Sequence, residues 1–415
     1  MRAHIEAYGC ALNRGEALEF ESVLRSGGWE ITSDPEQADL NAIATCVVIE
    51  TTEREMIKRI KQLSSLGKPL VVTGCMVTAL KNKIETIAPD ARLVPPSNLS
   101  GLCESAGVEE KYSWAPNPWP GTFCYTIPIA SGCLGNCAYC ITRSARGDIK
   151  SRGIEAIIDG ISRIDFSLGT KEIQLTAQDT AAYGRDIGSP LPELIRRLTN
   201  TERNMKIRIG MMNPKSVLPI LDELLEVYSS DKIFKFLHLP VQSASDRILT
   251  DMNRGHTAED FRTIVRKFRE MYPDITLSTD LIVGYPGETE DDHLLNMALI
   301  EDIRPDIVNI TRFSPRPGTK ASILSGRVPG WRAKNRSREL TRKRFDVSLE
   351  KNRKKIGRVI PVIVTEKGTD GTMISRSENY EQIIIEEGIS LGASATVKIN
   401  DCSPIHLKGM ISQGP

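Results

Sequence analysis

Cys133, Cys137 and Cys140 lie in the run CLGNCAYC, with gaps of three residues and then two. Three soft thiolates so close together ask for a metal. A structural zinc site is the plainer alternative, but zinc normally closes a tetrahedron with four protein ligands, often as two CxxC pairs. A lone triad, with Gly135 in its loop and Tyr139 before the last cysteine, fits three corners of a [4Fe-4S] cube and leaves the fourth iron open. An open iron of this kind can chelate the amino and carboxylate groups of S-adenosylmethionine.

A second triad is dispersed along the chain. Cys10, Cys46 and Cys75 each follow a short apolar run, HIEAYG, LNAIAT and PLVVTG respectively, and glycine immediately precedes two of them. The bland alternative is three unrelated buried thiols. Parallel strands, however, present their C-terminal ends on one edge of a sheet, so the three sulfurs can converge there. The expectation is a second three-thiolate [4Fe-4S] cluster, also with an open iron. Cys103, Cys124 and Cys402 fit neither pattern and are read as structural.

These residues need elements to place them. The 415 residues suffice for two or three domains with real cores. At 40% hydrophobic and 26% charged residues, composition is that of a globular protein, and the net charge of +1 predicts no acidic partner by itself. No apolar run reaches the roughly 18 residues of a membrane span, and the opening MRAHIEAYGC has no signal-peptide core. The expected location is therefore cytoplasmic, where nine cysteines speak for metal rather than disulfides.

Three segments are expected. Over 1–117, strands alternate with amphipathic stretches such as EALEFESVLRSGG, which argues a parallel α/β sheet. The Pro-rich WAPNPWPG is a breaker. Over 119–345 the strands FCYTIPIAS, EIQLTAQD, KIRIGMMN, FKFLHLPV, ITLSTDLIVG and IVNITRF alternate with helices, as in a partial (βα)6 barrel whose strand-end loops carry the site. A basic stretch, Trp331 to Arg358, is expected to be largely helical. Over 350–413, short β-like runs suggest a small antiparallel OB-like barrel. The fold class is thus α/β with a terminal β-barrel.

In the central segment Thr176, Gln178 and Asp179 end the second strand, where Gln178 and Asp179 are placed to accept an amino group. Gln242 ends the fourth strand near His238, and Gly284, with Gly287, follows the fifth, where backbone can lie against an adenine ring. Arg208 can meet a carboxylate or ribose. A turn former or a satisfied core residue is the plain alternative for each; their repetition at strand ends favours a cofactor site.

The motifs YGCALN, TGCM, SGCLGNCAYC, LTAQDTAAYGRDIG, LHLPVQSAS, STDLIVGYPGET and RFSPRPGT together resemble the radical S-adenosylmethionine methylthiotransferase family, nearly end to end. ARGDIKSR and RIGMMNP are most similar to its archaeal and eukaryotic tRNA branch, and the terminal barrel resembles the RNA-binding TRAM domain. The chain departs from the family at Ala44, where Asn is common. The resemblance implies a tRNA partner, engaged at its anticodon stem-loop. It also implies two [4Fe-4S] clusters, S-adenosylmethionine, an electron donor, a sulfur source and no membrane. The implied reaction adds a 2-methylthio group to N6-threonylcarbamoyladenosine at position 37. One S-adenosylmethionine gives a methyl group to sulfur on the cluster of Cys10, Cys46 and Cys75. Another is cleaved at Cys133, Cys137 and Cys140 to activate the C–H bond. Alternatives are isopentenyladenosine in tRNA, an aspartate of a ribosomal protein, or a non-catalytic iron–sulfur RNA-binding scaffold. The run containing Arg342, Lys343 and Arg344 is either a solvated helix face or a phosphate-tracking surface. Its junction with a TRAM-like barrel favours the latter.

Overall fold

The structure, a computed structural model, describes residues 1–109, 116–118, 120–386 and 388–412. Parts of the WAPNPWPG breaker, including the boundary residue Trp119, and the end of the last segment at Gln413 lie outside the described residues.

The chain opens with β1 (Arg2–Ala7), α1 (Ala11–Ser26), β2 (Glu30–Ile31), β3 (Leu40–Thr45), α2 (Glu50–Ser64) and β4 (Leu70–Gly74). Then come α3 (Cys75–Ala79), α4 (Lys81–Ile87), β5 (Arg92–Leu93) and α5 (Leu99–Ser105). The strands form an all-parallel sheet in the order β2-β1-β3-β4-β5. Alternate residues feed opposite cores: Ile43 and Val72 pack with Met56 on one face, Ala42 and Val71 with Phe20 and Trp29 on the other. Strands β3 and β4, buried along their whole length, follow from helices covering both faces. The two-residue edge strands are too short to show a period, which is why the sequence did not reveal them.

The middle of the chain runs β6 (Cys124–Pro128), β7 (Ala130–Ser131), α6 (Thr142–Arg146), β8 (Lys150–Ser151), α7 (Ile154–Ser162), β9 (Lys171–Thr176) and α8 (Leu191–Thr199). It continues through β10 (Met205–Ile209), α9 (Pro214–Val217), α10 (Leu221–Val227), β11 (Phe236–His238), α11 (Asp246–Asp251) and α12 (Ala258–Met271). It ends with β12 (Thr276–Val283), α13 (Glu290–Ile303), β13 (Ile307–Arg312) and α14 (Gly330–Arg353). Two parallel triplets, β10-β9-β6 and β11-β12-β13, are joined by a bridge between Ile207 and Ile233. The result is the six-stranded partial barrel. The apolar stretch VLPILDELLEVY, one of the helical runs between the barrel strands, is broken: Pro219 cannot donate a backbone hydrogen bond, and a 3-10 turn at Leu218–Ile220 separates α9 from α10.

The last five strands are β14 (Val359–Lys367), β15 (Met373–Ser377), β16 (Gln382–Ile385), β17 (Ser394–Cys402) and β18 (Leu407–Ile411). They close into a barrel in the order β14-β15-β16-β18-β17. One expectation is corrected: the barrel is not wholly antiparallel, because β16 and β18 pair in parallel. Closure of a five-stranded sheet brought these two together, a pairing that hairpin logic along the sequence does not supply. The barrel docks on the central one. The Phe123 amide donates to the Thr365 carbonyl at 2.8 Å, and Tyr380 packs among Phe234 and Phe236. The Tyr380 hydroxyl donates to Glu172 at 2.5 Å.

Candidate active site

Cys10, Cys46 and Cys75 follow β1, β3 and β4, the three adjacent central strands of the first sheet. Ala7 pairs with Ala44 and Thr45 with Gly74, so the strands end in step and their cysteines gather above one edge. The gathering depends on two glycines. At Gly9 (φ +91°) a Cβ would lie 2.5 Å from the Cys46 Cβ and 2.8 Å from its Sγ; at Gly74 (φ +89°) it would lie 2.4 Å from the Thr45 carbonyl oxygen. A side chain at either position would meet both strain and a collision.

Cys46 and Cys75 are buried, whereas Cys10 is exposed. Burial pushes the Cys75 thiol up to about 11, the Cys10 and Cys46 thiolates add to that, and Arg146 works against it. Arg146 comes from the other triad's segment, six residues beyond Cys140, and its side chain is fully buried. Its Nε donates to the Cys75 Sγ at 3.2 Å and its Nη2 to the Asn13 Oδ1 at 2.5 Å. A two-pronged pair with Glu16 (2.6 and 2.9 Å) completes the grip. Burial alone would lower the Arg146 pKa, but the Glu16 carboxylate and Cys75 thiolate reverse it and raise the pKa above its ordinary value. Asn13 in turn donates to the Tyr8 and Thr45 carbonyls, each at 2.9 Å.

The second triad lies in the loop between β7 and α6. Every sulfur there has a donor. The Gly135 amide reaches the Cys133 Sγ at 3.2 Å, the Thr142 amide the Cys140 Sγ at 3.4 Å, and Arg254 Nη1 the Cys137 Sγ at 3.5 Å. Arg254 is itself held by the Pro240 carbonyl at 2.8 Å and lies 3.4 Å from the Tyr139 hydroxyl. Burial foremost, with Cys137, Cys140 and Asp280 as lesser causes against Arg254, pushes the Tyr139 phenol above its ordinary range. Ile141 and Ala145 leave this loop to join the same apolar cluster as Cys75 and Met76. The two triads therefore sit on facing sides of one junction.

Among the described residues no three His, Cys, Asp or Glu close on a single point as one ion's ligands would. A cube makes a different demand, because each thiolate holds a different corner iron and the sulfurs stand apart around it. Both triads suit such an anionic cluster: soft donors, with an arginine and amides directed at the sulfurs. For an S-adenosylmethionine bound at the second triad, the fitting feature is the Gln178 Oε1, a buried acceptor without a hydrogen-bond partner.

Known proteins divide the chain in a related way. Residues 127–298 match the Radical SAM superfamily, residues 2–95 a family described as uncharacterized protein family UPF0004, and residues 353–411 the TRAM domain. A "Probable threonylcarbamoyladenosine tRNA methylthiotransferase" of Pyrococcus abyssi is 39% identical, with 99% of each chain covered. A "Threonylcarbamoyladenosine tRNA methylthiotransferase" of Xenopus laevis is 31% identical over 98% of this chain and 76% of its own. The chain belongs to the threonylcarbamoyladenosine tRNA methylthiotransferase family. Among solved structures, a radical S-adenosylmethionine methyltransferase of Kitasatospora setae has a similar fold, with a TM-score of 0.55 at 15% identity over 78% of this chain and 77% of that one.

Within this family member, the other expected site residues are spread over several places. Gln178 and Asp179 follow β9 beside the second triad, where burial, with Asp179 as a lesser cause, pushes the Cys133 thiol up to about 11. Both Asp179 oxygens are engaged, Oδ1 by the Asn213 amide at 3.0 Å and Oδ2 by the Ser216 hydroxyl at 2.7 Å. Asp179 thus ties the β9 loop to the β10 loop, and Gln178 keeps the free acceptor. Thr176 is buried at the end of β9, and its carbonyl accepts from Ile129 at 2.9 Å. Gln242 holds a left-handed backbone (φ +75°) against Asp280 and Ile282. Gly284 is packed beneath α14, where a Cβ would lie 2.7 Å from that of Ala333. Arg208 is directed away from the cysteines, toward the terminal barrel: its guanidinium lies 4.8 Å from the Phe236 ring and 5.2 Å from the Tyr380 ring.

The basic helix divides likewise. Lys343 pairs with Glu301, Arg344 is half-buried over Phe345, and Arg342 is exposed. Lys334 and Arg338 are also exposed and, spaced four apart with Arg342, share its face. Sequence reasoning did not single out Asn13, Glu16, Arg146 or Arg254. Arg146 had a signal, since it lies inside ARGDIKSR; Arg254 had none, because its partner Cys137 is far away in the chain.

Proposed function

We propose that this chain modifies tRNA, converting N6-threonylcarbamoyladenosine beside the anticodon into its 2-methylthio derivative as a radical S-adenosylmethionine enzyme with two [4Fe-4S] clusters. What carries the reading is the junction of two cysteine triads locked by Arg146, in a chain that aligns over nearly all its length with relatives of that name. When bound, the cofactors supply a carbon radical for an unactivated C–H bond and the sulfur that replaces its hydrogen. The chain's residues hold and orient them. Cys10, Cys46 and Cys75 form the sulfur-carrying side, Cys133, Cys137 and Cys140 the radical side, and Gln178 offers its oxygen to an ammonium group. The proposed division is 1–117 for the sulfur side, 119–345 for the radical barrel and 350–413 for RNA binding. An electron donor and a sulfur source belong to the proposal. Among the described residues no helix is long and apolar enough to cross a membrane, and the proposed location is the cytoplasm.

Mass spectrometry of tRNA nucleosides after reaction with the anaerobically reconstituted enzyme tests this. A 2-methylthio product formed from threonylcarbamoyladenosine is expected. Product from isopentenyladenosine alone would reverse the substrate assignment.

RNA contact is proposed along the exposed face of Lys334, Arg338 and Arg342, none of which makes an ion pair among the described residues. Changing all three to Gln should lower tRNA affinity and reduce the slope of log affinity against log salt by about 3, roughly one per lost phosphate contact. An unchanged slope would return this face to solvent. Point changes are cleaner than deleting the terminal barrel, which would strip Tyr380 from Glu172 and uncover Phe234 and Phe236.

A further inference from the structure

Below the cysteine loops, a cavity of about 350 Å³ lies between the inner wall of the central barrel and the terminal one. Its wall includes Arg208, His238, Ser278, Asn309, Arg344 and Tyr380. The carboxylates around it already have partners: Asp306 is paired with Lys351, and Glu381 with Lys355. Arg376, also on the wall, is bound to Glu366 at 2.8 Å. Arg208 and Arg344 are different. Neither makes an ion pair or a hydrogen bond among the described residues. The Arg208 Nε is buried without an acceptor, and its ring contacts hold the guanidinium in place. Burial lowers the Arg344 pKa. Two cations from opposite walls, β10 and α14, thus face one polar space whose lining carboxylates, Asp306 and Glu381, are already held by lysines, while the buried Glu172 behind Tyr380 is engaged by Tyr380 and Gln174.

The cavity is also connected to the chemistry. His238 and Asn309 on its wall both reach Asp280 Oδ1, at 3.3 and 2.7 Å. At the second triad itself, Tyr139 shares Arg254 with Cys137. Hydrogen bonds thus carry the wall from His238 and Asn309 to Asp280, on β12 of the same barrel as the second triad.

We infer that this cavity receives the threonylcarbamoyl arm of the substrate base, with Arg208 and Arg344 binding its carboxylate. The inference rests on the reading under Proposed function and extends it to a specificity site. An amino-acid arm carries one carboxylate, a hydroxyl and a urea. Guanidinium groups suit the first, and Asn309, Ser278 and His238 offer hydrogen bonds to the others. An isopentenyl arm would leave both arginines desolvated and unpaired, which is how a polar site rejects an apolar analogue. Arg208 and Arg344 are accordingly specificity-determining residues.

The test measures binding of three anticodon stem-loop RNAs to the full chain: one with threonylcarbamoyladenosine, one with its carboxylate converted to the methyl amide, and one with plain adenosine. Wild type should prefer the first by at least tenfold over the other two. Arg344→Gln and Arg208→Lys should each reduce that preference severalfold, and Arg344→Gln with Arg208→Gln should abolish it, while plain-adenosine RNA binds as before. Equal weakening toward all three RNAs would show that the arginines hold backbone phosphate and would overturn the inference. So would an unchanged preference in Arg344→Gln, a change at a half-exposed position that does not disturb the fold. Product formation by wild type on the same RNAs separates the two levels. If the modified nucleoside is methylthiolated but the arginine variants keep wild-type preference, only the cavity assignment fails; if it is not methylthiolated, the functional reading fails.

Discussion

Replacing Arg146 with Ala is expected to destabilise the N-terminal unit by about 3–5 kcal/mol, the range for breaking a buried ion pair from one side. The size follows from what would remain. Glu16 would keep a largely buried charge with its 2.6 Å partner gone, and Asn13 would lose its 2.5 Å donor while still tied to Tyr8 and Thr45. The Cys75 thiolate would lose a donor as well. The loss is local, so hydrogen exchange of the amides in β1, β3 and β4 is the suitable measure. Glu16→Gln together with Arg146→Gln should recover part of the stability, because neither charge is then stranded. Protection in Arg146→Ala within about 0.5 kcal/mol of wild type, the usual range for a surface change, would mean that the Arg146 grip is not what holds the two halves together.

The second large effect concerns iron. Two site-differentiated cubes require about eight irons per chain after reconstitution. Changing Cys133, Cys137 and Cys140 to Ala should halve that and abolish cleavage of S-adenosylmethionine. Changing Cys10, Cys46 and Cys75 should also halve it, yet cleavage to 5′-deoxyadenosine should persist while methylthio transfer stops. The asymmetry separates two roles that a single activity assay would merge. Bound zinc without iron in the wild type would refute both cluster assignments, and methylthiolated product from the Cys10, Cys46, Cys75 variant would refute the role given to the first triad. The arginines refine the expectation. Arg146 and Arg254 each direct a cation at one sulfur, so Arg254→Gln should retain iron but shift the reduction potential of its cluster downward. Potentiometric titration followed by electron paramagnetic resonance reads that shift.

Much of this was legible from residue order alone. The compact triad in CLGNCAYC could be proposed as a cluster site because its three cysteines are close together in the chain. The dispersed triad was readable because each cysteine follows an apolar run, and parallel strands must end on one edge. The period-2 and period-3.6 patterns placed the central strands of the first sheet, all six of the partial barrel and α14. They did not show β2 and β5, where two residues carry no period, nor the parallel pairing of β16 with β18, which depends on barrel closure.

Tertiary structure decided what the long polar side chains do. Arg146 is one basic residue among several in ARGDIKSR, and only the packing of α6 against α3 brings it to Cys75 and Glu16. Asp179 reads as a ligand-binding carboxylate at a strand end, but the neighbouring loop occupies both its oxygens and leaves Gln178 with the open acceptor. Arg342, Lys343 and Arg344 look alike as a run. The 100° turn between successive helical residues sends one to solvent, one to Glu301 and one to an interior cavity. Backbone propensity and hydrophobic period are local and survive in a string of letters. The partner of a guanidinium depends on residues far along the chain, and the sequence does not contain that pairing until the domains have docked.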